Sequence, residues 1–262
     1  MNNRKKGGSH LRIRVLGPYG GSAPNCRMTT FLINDDTALD AGALTSTLSL
    51  KAQCRIDRVV VTHAHFDHVA TLPFFFENIF GRREPIEIVA PEAVLTPLRK
   101  HLFNDALWPD FTRLPSRQRA TVRLRAIPDD GTFRAGGLAF RPVRVTHIVP
   151  TFGYLVSTPS VSVLFSGDTA PTRKLWRIAD AAENLKAIFL EVSFSDAQEP
   201  IARASKHLIP RYLATELAKT RQQVPVYLYH MKPPSAAAIR REVRALRMPR
   251  LKFLSEGDVL DF

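Results

Sequence analysis

Apolar positions in this chain fall into short blocks separated by turn residues, and the spacing within each block sets the element expected there. Residues 11–16 alternate apolar side chains with Arg, as a half-exposed strand does, and the Gly-rich run at 17–24 then turns the chain. Residues 28–33 predict a second strand, and 34–36 a hairpin turn into Ala38 and Leu39, so the chain opens as antiparallel β. Residues 56–61 form an unbroken apolar run of the kind a fully buried strand shows, and the apolar-rich segment ending at Phe80 predicts a helix beyond it. Residues 85–90 predict a strand and Pro91 the start of a helix toward Phe103, since a first-turn proline lacks only a donor that would be unused. The Pro- and Arg-rich stretch 108–119 reads as an excursion able to cover a site or meet a partner. Strand character returns at 122–126, 131–134 and 138–145 as a second β region, and 152–157 with 161–165 predicts a hairpin. The remainder predicts a helix at 171–182 and a strand at 185–190. Next come a helix that includes or follows His207 and continues over 208–220, a strand at 224–229, a basic amphipathic helix at 235–246, and two short strands around Gly257.

This order fits an α/β (α+β) chain with two sheets packed together and helices outside. No linker divides it, so residues 10–262 are expected to form a single domain behind a flexible tail at 1–9. A hydrophobic fraction of 45% and a charged fraction of 23% are those of a globular protein and argue against disorder. Cys26 and Cys54 are too few for a disulfide scaffold or thiolate cluster and fit a reduced compartment. With no secretory signal or membrane-spanning run, the expected location is cytoplasmic and no membrane partner is expected. The formal net charge of +13 favours anionic ligands. No aromatic-laced RNA motif accompanies that charge, so nucleic acid is one anion among several.

The chemistry concentrates after the buried run at 56–61. His63 and His65 stand two apart and share one side of an extended backbone, and Asp67 with His68 follows at the turn into the helix. Each histidine alone has a bland reading as a surface or capping residue; H-x-H-x-D-H at the end of a buried strand instead has the donors of a site for zinc or a similar divalent ion. His147, Asp168 and His230 also follow extended apolar segments and can enter the same crevice. The set divides into His63, His65 and His147 for one ion, Asp67, His68 and His230 for a second, and Asp168 as a bridge. Asp40, in the LDAG stretch, is either a turn or cap aspartate or a group that orients a ligand histidine. Glu191 stands near another strand end and is expected to lie behind the ligands.

HAHFDH at 63–68, with LDAG, THIVP, SGDT and YLYH, resembles the signature of the metallo-β-lactamase superfamily. The resemblance implies an αββα sandwich and the seven ligand roles above. Within it, NCRMTTFLI, HFDHVATLPFF, EVSF, SKHL and YHMKP are most similar to the class II cyclic-nucleotide phosphodiesterases. The chain departs from that pattern at Ala70-Thr71, where a glycine-containing pair is usual, and at Ser205-Lys206-His207, where Ser-His is more compact.

What this implies is hydrolysis of a 3',5'-cyclic nucleotide, a small anionic phosphodiester, to a 5'-nucleotide at two divalent ions. Zinc is the expected metal, and manganese or iron(II) suits the same donors. Asp67 and His207 are the expected catalytic residues; His207 would serve as acid or phosphate contact, against a reading as a surface histidine on an amphipathic helix. Phe74 and Trp108 are candidates to wall the base and Lys232 to meet phosphate, although aromatic clusters such as Phe74, Phe75, Phe76, Phe103 and Trp108 more often fill a core. The alternatives are a tRNA 3'-processing or other RNA phosphodiesterase, from which the absence of a long basic insertion detracts, and a non-catalytic protein that retains metal. The Arg-rich and apolar excursions leave room for a homodimer.

Overall fold

The computed structural model describes residues 10–262; the tail expected at 1–9 lies outside them. Among the described residues, two seven-stranded sheets face each other. The first contains β1 (Arg12–Gly17), β2 (Thr30–Ile33), β3 (Thr37–Leu39), β4 (Arg58–Val60), β5 (Ile86–Pro91) and β6 (Val122–Ile127) in chain order, with β14 (Val259–Asp261) at the β1 edge. The second runs from β7 (Phe133–Ala135) and β8 (Leu138–Arg144) through β9 (Phe152–Ser157), β10 (Ser162–Phe165) and β11 (Leu185–Glu191) to β12 (Val226–Tyr229) and β13 (Leu251–Phe253). Each sheet is antiparallel on one side and parallel on the other, with β3 to β6 parallel in the first and β10 to β13 in the second.

Helices cover the outer faces: α1 (Leu44–Thr47), α2 (Leu50–Gln53), α3 (Phe66–Val69), α4 (Leu72–Asn78) and α5 (Glu92–His101) belong to the first half, and α6 (Lys174–Ala181), α7 (Glu199–Ser205), α8 (Pro210–Leu217) and α9 (Ala236–Ala245) to the second. This is the expected αββα sandwich.

The central strands read as unbroken apolar runs because both of their faces are buried. In β10 and β11, Val163, Phe165, Ala187 and Phe189 pack between the sheets, while Leu164, Ile188 and Leu190 join Leu175, Trp176, Leu213 and Ile239 beneath α6, α8 and α9. Phe31, Phe165, Phe189 and Tyr229 meet at the centre, with Phe165 and Phe189 stacked at 4.4 Å and Phe31 edge-on to Tyr229 at 5.3 Å. Burial of each such ring contributes about 1.5–3 kcal/mol.

One expectation is corrected and two are refined. The second β region is split, since β6 closes the first sheet and β7 opens the second. The terminal strands part company: β13 extends the second sheet, and β14 crosses to pair with β1. The helix expected over 208–220 is present as α8, shortened to Pro210–Leu217, and His207 stands in its approach, because Lys206 takes a left-handed φ of 58° at the end of α7 and Pro210 starts α8. Among the described residues, no helix is long and apolar enough to cross a membrane.

Candidate metal centre

Parallel strands end together, and here their carboxyl ends deliver the polar residues. Asp40 follows β3, Thr62 and His63 follow β4, Asp168 follows β10, Glu191 ends β11 and His230 follows β12. The loop after β8, which runs in the same sense as β10, brings His147.

The candidate ligands fall into two groups, His63, His65, His147 and Asp168 in one and Asp67, His68 and His230 in the other, with donor atoms inside each group all within 4.8 Å of one another. Asp168 Oδ2 lies between them, 3.6 Å from His63 Nε2, 3.4 Å from His68 Nε2 and 3.1 Å from His230 Nε2. All seven residues expected from the sequence therefore come together, with Asp168 Oδ2 between the two groups.

The donors fit divalent cations, and the protein alone leaves them unsatisfied. Among the described residues, His63 Nε2, which faces Asp168, and the second carboxylate oxygen of Asp168, Oδ1, are buried without a hydrogen-bond partner, a cost of about 1–3 kcal/mol each. Imidazole nitrogens also face one another, His65 Nδ1 with His147 Nε2 at 3.2 Å and His68 Nε2 with His230 Nε2 at 3.3 Å. A cation between such lone pairs satisfies both at once.

Neighbouring groups select the ligand tautomers. Thr62 Oγ1 donates to Asp40 at 2.9 Å and so accepts from His63 Nδ1 at 3.0 Å, which leaves the lone pair on His63 Nε2. His147 Nδ1 donates to the Lys206 carbonyl at 3.2 Å, which frees its Nε2. His68 Nδ1 donates to Asp40 Oδ2 at 2.7 Å, and Asp40 also accepts from the Thr62 amide at 2.8 Å. Asp40 thus stands where a carboxylate behind a ligand histidine belongs.

Burial pushes the His63 pKa well below the ordinary histidine value, lowers those of His65 and His147, and brings His230 down to about 3, so these imidazoles are neutral at pH 7. His68 is opposite in sign: burial opposes its charge, but Asp168 and Asp40 together overcome that and hold its pKa well above the ordinary value.

Two close approaches lock these loops. A β-carbon on Gly20 would lie 2.6 Å from the His230 carbonyl oxygen and 2.7 Å from its ring, and one on Gly42 would collide with the Asp67 carbonyl. Thr71, at the departure from the usual glycine pair, accepts from the Leu44 amide at 3.0 Å and donates to the Ala41 carbonyl at 2.6 Å. The substitution therefore fastens the LDAG loop to the helix that follows His68.

His207 lies in the break between α7 and α8 and is only 5% exposed, which corrects the reading as a surface histidine on an amphipathic helix. Its Nδ1 donates to Glu191 Oε1 at 2.9 Å, and Ser193 Oγ, 3.0 Å from that nitrogen, donates to Glu191 Oε2 at 2.8 Å. Burial opposes the imidazolium, yet the Glu191 carboxylate raises the pKa above the ordinary value. The His207 ring stands 4.9 Å from that of His147 and 5.5 Å from that of His230. Glu191 therefore buttresses His207, and also accepts from the amide of Thr169 beside Asp168 at 3.0 Å.

The expected substrate contacts divide. Phe75, Phe76 and Phe103 are core residues, whereas Phe74 is half exposed and meets Trp108 edge-on at 5.2 Å. Lys232 Nζ donates to Asp67 Oδ2 at 3.1 Å, which puts its charge beside the second group. Thr62 and Ser193 are organising residues that the sequence reading missed; position supplied the only signal, since each is next to or close to a strand-end acid or histidine.

Comparison with known proteins adds family and fold. Residues 32–248 match the model of the beta-lactamase superfamily domain. A Ribonuclease Z of Metallosphaera sedula is 27% identical over 154 residues, 56% of this chain and 48% of that protein. A probable 3',5'-cyclic-nucleotide phosphodiesterase of Yersinia pestis is 27% identical over 205 residues, 68% of this chain and 57% of that protein. The chain thus spans about half the length of these curated relatives. Unliganded yeast PDE1 shares the fold, with a TM-score of 0.82 at 18% identity over 96% of this chain and 99% of the other.

Proposed function

The chain belongs to the beta-lactamase superfamily, and from that premise we propose that it is a metal-dependent phosphodiesterase that opens 3',5'-cyclic nucleotides to 5'-nucleotides. The observation that carries this reading is the convergence of two donor groups on Asp168, with His207 beside them and anchored by Glu191. His63, His65 and His147 would hold one divalent ion, Asp67, His68 and His230 the other, and Asp168 would bridge. Ions held there would supply Lewis acidity toward phosphoryl oxygens and lower the pKa of water.

The chain's own residues do the rest. Water attacks phosphorus in line with the departing 3' oxygen and gives up a proton to solvent, the P–O3' bond breaks, and that oxygen leaves with the proton from His207 Nε2, which solvent then restores. Glu191 and Ser193 occupy Nδ1, so Nε2 is the nitrogen available to substrate, and Glu191 stabilises the charge on the ring. Lys232 beside Asp67 supplies positive charge at the phosphate end, and the Phe74–Trp108 pair offers an aromatic face to a base.

The choice of a cyclic nucleotide draws support from the Yersinia pestis relative, whose match extends over 68% of the chain. The Ribonuclease Z relative and the net charge of +13 favour RNA as the second reading. Assays with cyclic AMP, cyclic GMP and a pre-tRNA on metal-loaded protein test the choice. Release of a 5'-nucleotide from the cyclic substrates is expected. Cleavage of the pre-tRNA alone would give the site to RNA, and metal retention without turnover of any of them would leave a binding protein.

A further inference from the structure

A second concave site lies at the far end of the first sheet. A cavity of about 530 Å³ opens where Glu84 and Pro85 lead into β5 and where β6 begins at Val122, with Phe103 and the turn at 117–119 closing around it. The candidate metal ligands follow the carboxyl ends of the parallel strands, whereas this cavity is at the amino ends. The length of β5, at roughly 3.3 Å per residue, separates the two. It is therefore not an extension of the catalytic cleft.

Its lining is strongly cationic. Arg83, Arg117, Arg119 and Arg123 face the cavity with no carboxylate partner among the described residues, while Arg99 is held by Glu92 and Asp110 by Arg113. Glu84 is the one lining carboxylate not engaged in an ion pair. Four free guanidiniums against one free carboxylate, in a hollow of small-molecule size, form a receptor for phosphate oxygens, which the guanidinium fork binds in pairs. A nucleic-acid track would instead need a stripe of charge over an extended surface; here the exposed arginines gather around one half-open hollow, which favours a compact ligand.

We propose that this cavity binds a small polyphosphorylated anion, of the size of a nucleoside polyphosphate, independently of the reaction at the metal centre. The test is calorimetric titration of the metal-loaded chain with inorganic triphosphate and with ATP at about 0.1 M salt. The wild type is compared with Arg117→Gln/Arg119→Gln/Arg123→Gln and with a charge-matched control at another face, Arg141→Gln/Arg144→Gln/Arg177→Gln. All six arginines are at the surface, so both variants retain the core. The first variant is expected to bind at least roughly ten-fold more weakly and the control to bind as the wild type does, with cyclic-nucleotide turnover the same in all three. Equal weakening in both variants would reduce the effect to net charge, and no weakening in either would place the ligand elsewhere. Tighter binding of a short single-stranded RNA by the same arginines would give the cavity to nucleic acid. Each of these results overturns the proposal.

Discussion

His68 ties the donor cluster to the loop that carries Asp40. One nitrogen faces Asp168 and His230 and the other is held by Asp40, so its orientation depends on a carboxylate contributed by a different loop. Asp40→Ala is expected to weaken divalent-metal binding about 10- to 100-fold with the rest of the chain folded, as read by competition against a chelating dye. His207 makes a separate prediction. His207→Ala should lower kcat about 10²- to 10⁴-fold at unchanged metal content. Because Glu191 raises the His207 pKa, the acid form persists to higher pH than in an ordinary histidine; the rate should fall as pH rises through the raised value, and the variant should lack this limb of the pH–rate profile. HAHFDH was legible because its donors lie within six consecutive residues of a strand end. The His207–Glu191 and Asp40–Thr62 pairings were not, since they join residues 16 and 22 positions apart and depend on how the loops fold back.

The elements most readable from the pattern were strands buried on both faces, such as β4, β10, β11 and β12. Less readable was where an element stops. Apolar spacing runs on from α7 into α8, so the break shows only in the left-handed Lys206 and in Pro210, yet it is this break that exposes the Lys206 carbonyl to His147. The partner of β14 was equally hidden, because a short terminal strand carries no mark of which sheet it joins. Loop contacts give the test at this scale. Gly20→Ala would bring a β-carbon to 2.6 Å from the His230 carbonyl oxygen, so His230 must shift. The variant should keep the far-UV circular dichroism of the wild type while losing ion occupancy and turnover.

For the whole molecule, the field of a chain with a net charge of +13 draws anionic substrates in. kcat/KM for a cyclic nucleotide should therefore decline as ionic strength rises through the range where the Debye length shrinks to about 8 Å. Stability without metal should depend on pH in a definite sense. At His63, His65, His147 and His230 the folded chain binds fewer protons than the unfolded chain below the ordinary value of 6.5, so each contributes stability that is lost as pH falls below it. His68 and His207, with raised values, contribute fully below 6.5 and lose their share only as pH rises through their folded values. Asp40, raised by burial, works against the four lowered histidines, but only toward the carboxylate range. The urea midpoint of the chelated protein should thus drop between about pH 6.5 and 5, and by less when metal is restored. Everything proposed for catalysis rests on strands from both sheets meeting around a pair of cations, and the most direct measurement is the metal content of the purified chain after loading and gel filtration. About two divalent ions per chain, reduced in Asp168→Ala, is the predicted result; less than one ion per chain in the wild type would contradict the account.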